Sequence, residues 1–240
     1  MGLDAADTRV TLLGSQFDVW KIDLRAEGVD VLLLHGYARN RIDSLRRVQP
    51  WLPIARSLTL IDLPGHGDAS GKGTTLGTNE PKLIAELVEQ LQLTRVILVG
   101  HSLGAVIAIR SALEPTLATR VQGVLAIAPY EQLATPIGAR LDARAMPRAA
   151  LLRPALALTR LCGVRLEPTS ASAARLSVPL GILAGTRDPT SPLDEARRIA
   201  RSAPSATLHE IEGGSHDDLW IIGGAAYASL AQQLARGKID

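Results

Sequence analysis

Val96–Ile109 reads VILVGHSLGAVIAI, and the fold of the chain follows from it. Val96–Val99 is a short, wholly apolar run, as expected of a strand covered on both faces. Gly100–His101–Ser102–Leu103–Gly104 then fits the pattern G-x-S-x-G. The stretch from Leu103 to Leu113 is apolar nearly all round, as expected of a buried helix. A strand, a sharp turn and a helix in that order lift the serine hydroxyl above the edge of a sheet. The flanking glycines have a steric reason, since side chains there would collide with the neighbouring strand or helix. A helix N-terminus directly behind Ser102 also favours negative charge near its hydroxyl.

The same alternation continues in both directions. Val10–Gly14 and Phe17–Asp23 read as an opening strand pair. Val29–Gly36, Ser57–Gly65, Arg95–Ser102, Val121–Pro129, Val178–Gly185 and Ala206–Gly213 read as buried strands, most of them ending at glycine. Helical stripes lie between them. Pro81–Leu93 places Leu83, Ile84, Leu87, Val88 and Leu91 on one face. Ser191–Pro192–Leu193–Asp194 reads as a capped helix start, and Leu219–Leu234 as a closing helix weakened by Gly223 and Gly224. The fold class expected is α/β, a mostly parallel eight-stranded sheet flanked by helices in one domain over residues 1–240. Residues 130–177 carry no strand signal and are expected to form a small helical lid inserted between two strands.

A serine is a weak nucleophile near neutral pH and needs a base. Of the histidines His35, His66, His101, His209 and His216, the last follows the final strand in "EIEGGSHDDLW", where two glycines let the loop curl back over the sheet edge. His209 lies inside that strand and reads as structural. His66 reads as holding a loop, and the His101 side chain is expected to point away from the site. The base in turn needs an orienting carboxylate. Asp188, just after the seventh strand, is preferred over Glu131, which follows the sixth. Asp217 and Asp218 adjoin His216 too closely to turn back onto its ring. Charge developing on a carbonyl oxygen calls for paired backbone N–H donors. Leu103 supplies one candidate and Tyr37, at the end of "LLLHGY", the other.

These motifs together resemble the α/β-hydrolase superfamily, in its esterase, lipase and small-molecule hydrolase branch. The matching elements, "HGY", "DLPGHG", "GHSLGA", "GTRD" and "GGSH", run in family order from Leu34 to His216. The loop after "DLPGHG", Gly67–Asp68–Ala69–Ser70, is one residue longer than the family habit. The resemblance implies Ser102 as nucleophile, His216 as base, Asp188 as its partner, and Tyr37 with Leu103 as oxyanion hole. It implies hydrolysis of a carboxylic ester or related acyl bond without metal or organic cofactor. Thioesterase, amidase, acyltransferase, carbon–carbon hydrolase and perhydrolase reactions share that triad, and a barely catalytic small-molecule receptor is the rival from another class. Dehalogenases and epoxide hydrolases of this fold use an aspartate where this chain has Ser102.

Composition narrows the partners. The chain has 240 residues, 46% hydrophobic and 21% charged, with a formal net charge of +2 and 3% aromatic residues. That balance is ordinary for a globular protein and argues against a nucleic-acid surface, while the small-molecule acyl or ester substrate is what the resemblance implies. The apolar runs are too short to span a bilayer. The start shows neither a signal-peptide pattern nor, after Gly2, a good acylation continuation, so a cytoplasmic location is expected. The single cysteine, Cys162, excludes an internal disulfide and reads as an inert thiol packed like a small apolar residue. Arg140, Arg144, Arg148, Arg153, Arg160, Arg165 and Arg175 make the lid basic. The first three are spaced to share a helical face, although Pro147 interrupts it. Two readings stand: an anion-attracting cap, or the solvated side of amphipathic helices whose apolar side lines the pocket. The latter is preferred. Arg39 and Arg41, beside the oxyanion loop, carry the same ambiguity.

Overall fold

The computed structural model describes residues 5–70 and 73–239; Gly2, on which the acylation reading falls, lies outside them. Eight strands form one sheet: β1 (Ala6–Leu12), β2 (Ser15–Asp23), β3 (Val29–Leu34), β4 (Ala55–Ile61), β5 (Val96–His101), β6 (Val121–Ile127), β7 (Leu180–Gly185) and β8 (Ala206–Ile211). Their spatial order is β1-β2-β4-β3-β5-β6-β7-β8. The pairs β1–β2 and β2–β4 are antiparallel, and every pair from β4–β3 onward is parallel. The strand order reverses at β3, so a crevice opens beyond the carboxyl ends of the central strands.

Alternate residues of each strand face opposite layers. In β3, Leu32 and Leu34 join one apolar cluster, while Val31 and Leu33 join the other. The first layer is built by α2 (Glu80–Gln90), α3 (Leu103–Ser111), α6 (Thr169–Ala173) and α7 (Leu193–Ser202). The second holds Trp51 together with α8 (Leu219–Ile222) and α9 (Gly224–Ala235). Tyr227 ties this second layer together. Its hydroxyl accepts from Trp51 Nε1 at 2.9 Å and donates to the Arg47 carbonyl at 2.6 Å. The remaining helices are α1 (Arg41–Ser44), α4 (Ala134–Ala143) and α5 (Arg148–Leu161). Among the described residues, no helix is long and apolar enough to cross a membrane.

Some local expectations shift. The closing helix is two helices, broken at Gly223, where an added Cβ would lie 2.6 Å from Ile211 Cδ1. The cap position of α7 is Pro192 and not Ser191, because the Ser191 N–H turns back to Asp188 at 2.9 Å. Arg140, Arg144 and Arg148 do not share a helical face. α4 stops at Ala143, Ala145 has φ 51°, and Pro147 caps α5. Cys162 is exposed, contrary to the packed position expected, because it caps α5, a helix with no buried residue.

Candidate active site

Ser102 stands on the turn between β5 and α3 with φ 53° and ψ −113°. That backbone conformation is costly for a residue with a side chain and persists only where its surroundings enforce it. Here they do so by close approach. A Cβ on Gly100 would overlap the Gly104 carbonyl oxygen, and one on Gly104 would come within 2.7 Å of the His35 carbonyl oxygen. The Ser102 N–H is fixed to the Ile127 carbonyl at 2.8 Å, joining the turn to β6.

His216 and Asp188 meet Ser102 from two further loops. His216 Nδ1 lies 2.7 Å from Asp188 Oδ2, and His216 Nε2 lies 3.0 Å from Ser102 Oγ. A carboxylate at that position accepts, so Nδ1 carries the proton and the Nε2 lone pair faces the serine hydroxyl. The carboxylate is held from behind, where its Oδ1 accepts from the N–H groups of Thr190 and Ser191 at 2.8 and 2.9 Å. The side chain of Asp188 is fully buried. The competing carboxylates are engaged elsewhere. Glu131 accepts from the Ser170 N–H at 2.8 Å, Asp218 from Ser215 at 2.7 Å, and Asp217 pairs with Arg39 at 3.0 Å.

Three of the other histidines brace loops. His101 does not point away from the site. Its ring lies 4.9 Å from that of His216, and its Nε2 donates to the His216 carbonyl at 2.8 Å. The ring fills the space between Gly36 and Trp220 under the His216 loop. Burial, with Arg47 and His216 adding to it, holds the imidazole of His101 well below its ordinary pKa, so it acts as a neutral donor. His35 joins the ends of β3 and β4. Its Nε2 accepts from the Leu63 N–H at 2.9 Å and its Nδ1 donates to the Gly36 carbonyl at 2.8 Å. His66 closes its own turn onto Pro64 and packs edge-on against Tyr37. His209 lies within β8.

The loop after β3 reaches the serine. A Cβ on Gly36 would stand 3.5 Å from Ser102 Cβ, and Tyr37 follows directly, itself 44% exposed. Arg39 and Arg41 are not free for an anion. Arg39 pairs with Asp217, and Arg41 with Asp62 and Asp68 while lying over Trp20. The longer loop after His66 is anchored to β2, since Ser70 Oγ both donates to and accepts from Gln16 backbone at 2.8 and 2.9 Å.

Between β6 and β7, α4 leans over Ser102 and closes a cavity of about 290 Å³. Sequence reasoning left the lining of this cavity open. The signal was a helical stripe: Leu133, Pro136, Ile137, Arg140, Leu141 and Arg144 recur at steps of three and four, and all of them line the cavity. Tyr130 adds a buried hydroxyl whose pKa burial pushes up, so it stays a neutral donor. Among the described residues, no group of three or more His, Cys, Asp or Glu is placed to hold a metal ion.

Residues 31–230 match the family model described as the alpha/beta hydrolase family. The chain belongs to that family. Across most of both chains it is similar to the magnesium-chelatase 30 kDa subunit of Rhodobacter capsulatus, at 28% identity over 82% of this chain and 84% of that one. Over a shorter stretch it is 33% identical to the hydrolase YugF of Bacillus subtilis, covering 38% of this chain and 34% of YugF. Among solved structures, the esterase Pf2001 of Pyrococcus furiosus superposes with a TM-score of 0.79 at 22% identity, over 99% of this chain and 92% of its own. An esterase of Exiguobacterium antarcticum gives 0.74 at 17% identity, over 96% and 100%. At those identities, the two structural likenesses speak for the fold.

Proposed function

We propose that this alpha/beta hydrolase cleaves carboxylic esters or related acyl bonds through an acyl-enzyme on Ser102. One observation carries the reading: the chain of hydrogen bonds from Asp188 through His216 to Ser102, at 2.7 and 3.0 Å. His216 takes the serine proton as Oγ attacks the acyl carbon, then returns it to the leaving alcohol. Water, activated by the same imidazole, releases the acid and restores Ser102. Asp188 keeps His216 in the tautomer this needs. The backbone N–H groups of Tyr37 and Leu103 serve as the oxyanion hole, with the N-terminus of α3 behind the developing charge. His101, through the His216 carbonyl, is a positioning residue for the base. Residues 130–177 act as a cap over the acyl site of a single hydrolase domain. No metal or organic cofactor takes part, and a cytoplasmic location belongs to the same proposal.

The test is hydrolysis of p-nitrophenyl esters from acetate to palmitate by the wild type beside Ser102→Ala. Turnover that is absent from the mutant supports the reading, and the chain-length optimum sizes the cavity. A well-folded wild type that turns over none of them refutes a general esterase.

A second reading rests on the relative that matches over most of both chains. That protein is named as a subunit of a magnesium chelatase. On this reading the chain works inside such an assembly, and hydrolysis of simple esters is incidental. Co-purification with chelatase subunits that survives Ser102→Ala favours it.

A further inference from the structure

We infer that the cavity beside Ser102 selects substrates whose buried chain carries a carboxylate, with Arg140 as the specificity-determining residue. The inference rests on the serine-hydrolase reading above and goes on to name the substrate class.

Arg144 lines the cavity too but is exposed; Arg140 stands apart from the other arginines around the site in being half-buried there with no carboxylate in ion-pair contact. Its guanidinium lies over the Tyr37 ring at 5.0 Å and lines the cavity together with Ser102. Arg39, Arg41, Arg47 and Arg148 each pair with a carboxylate. Among the described residues, no carboxylate lies within ion-pair distance of Arg140, and the one hydrogen bond of its guanidinium runs to the Pro136 carbonyl of its own helix, at 3.1 Å. A guanidinium has five N–H donors, so most of those of Arg140 are unengaged. Its position is half-buried, and burial pulls its pKa down. A guanidinium nevertheless keeps its charge in a protein, so a cation stands in the acyl cavity with no carboxylate in ion-pair contact; Asp217, already paired with Arg39, acts on it only from farther off. The stack on Tyr37 holds the fork in place before any ligand arrives.

The neighbours agree in chemistry. Tyr130 lines the same cavity, and burial keeps its hydroxyl neutral. Arg144, exposed at the rim, adds positive potential and donates to the Arg140 carbonyl at 3.3 Å. Most of the remaining lining is apolar, with Leu133, Ile137, Leu141 and Met146 suited to methylenes. An apolar sleeve with a planar, two-pronged cation and a hydroxyl donor fits a short chain ending in a carboxylate, which an arginine fork binds in bidentate fashion. A wholly neutral acyl chain leaves the cation desolvated and unpaired.

Two matched pairs test this. Mono-p-nitrophenyl adipate against p-nitrophenyl hexanoate places the carboxylate on the acyl side. 4-Acetoxybutanoate against butyl acetate places it on the alcohol side. Wild type, Arg140→Gln, Arg140→Lys and Arg153→Gln are compared by kcat/KM, with thermal unfolding as the check on folding. Arg153 lies exposed on α5, away from the cavity, so Arg153→Gln makes the same change in charge elsewhere. In at least one pair the wild type prefers the charged member. Arg140→Gln lowers that preference about tenfold or more, the scale of a lost charge-assisted hydrogen bond. Arg140→Lys recovers part of it, and Arg153→Gln leaves it in place. Should Arg140→Gln fold poorly, Arg140→Lys and added salt remain, since salt screens a half-exposed ion pair and should erode the preference. Equal ratios for wild type and Arg140→Gln in both pairs overturn the inference while leaving the hydrolase reading intact. Turnover that survives Ser102→Ala overturns the hydrolase reading itself.

Discussion

Lowering the pH should loosen this protein through His35. The imidazole is fully buried, and burial lowers its pKa from 6.5 to about 4. Its Nε2 accepts from the Leu63 N–H at 2.9 Å, so a proton added there would face another donor. The unfolded chain binds a proton near pH 6.5 and the folded one only near pH 4. Between those values the unfolded state holds more protons, so stability is complete above about pH 6.5 and is lost as the pH falls towards 4. The gap sets a limit of about 3 kcal/mol, of which about 2 kcal/mol is lost between pH 7 and pH 5. Urea unfolding of the wild type and of His35→Gln at pH 7 and pH 5 measures it. Glutamine retains an acceptor for the Leu63 N–H and removes the titration. His101 is depressed in the same direction, but it is common to both proteins and cancels in the difference. The wild type should lose about 2 kcal/mol more than the variant over that interval. Equal losses would refute the reasoning.

Three substitutions probe other parts of the structure. Asp188→Asn retains an acceptor for the N–H groups of Thr190 and Ser191, yet presents an amide donor to His216 Nδ1. Steady-state kinetics on an activated ester should show kcat lower by about 10⁴, with the fold retained in circular dichroism. Gly104→Ala brings a methyl against the carbonyl oxygens of Leu34 and His35, so the turn must open. Loss of about 1–3 kcal/mol in urea unfolding is expected, together with loss of ester turnover. Tyr227→Phe strands the Trp51 indole N–H and the Arg47 carbonyl inside the second layer. A loss of about 1–3 kcal/mol for each unsatisfied group should appear as a lower urea midpoint at unchanged kcat.

Much of this architecture was legible in the sequence because parallel strands covered on both faces read as apolar runs ending in glycine. β5 and the turn after it are the clearest case, since Gly100 and Gly104 are required by close backbone approach and leave a readable pair. Asp188 and His216 were legible by their order after β7 and β8, and the structure brings both to Ser102. What escaped was what depends on contacts between distant segments. His101 was expected to face away, yet it supports the His216 carbonyl across 115 positions of sequence. Arg140 was one basic residue among seven between positions 130 and 177, Arg140, Arg144, Arg148, Arg153, Arg160, Arg165 and Arg175. Only the fold sets it on Tyr37, far away in sequence, and gives carboxylate partners to Arg39 and Arg41. Cys162 looked apolar by type, but α5 has no buried residue and Cys162 at its end is exposed.

The nucleophile is tested most directly by covalent capture. Wild type, Ser102→Ala and His216→Asn are treated with an alkyl p-nitrophenyl phosphonate, whose phosphorus a serine activated by a neighbouring base attacks, expelling p-nitrophenolate and retaining the phosphonyl group. The adducts are then located by peptide mass spectrometry. One phosphonyl group per chain on the peptide holding Ser102 is expected, with none on Ser102→Ala and much slower labelling of His216→Asn. An adduct on another residue, or an unmodified wild type under conditions where its fold is intact, would contradict Ser102 as the nucleophile.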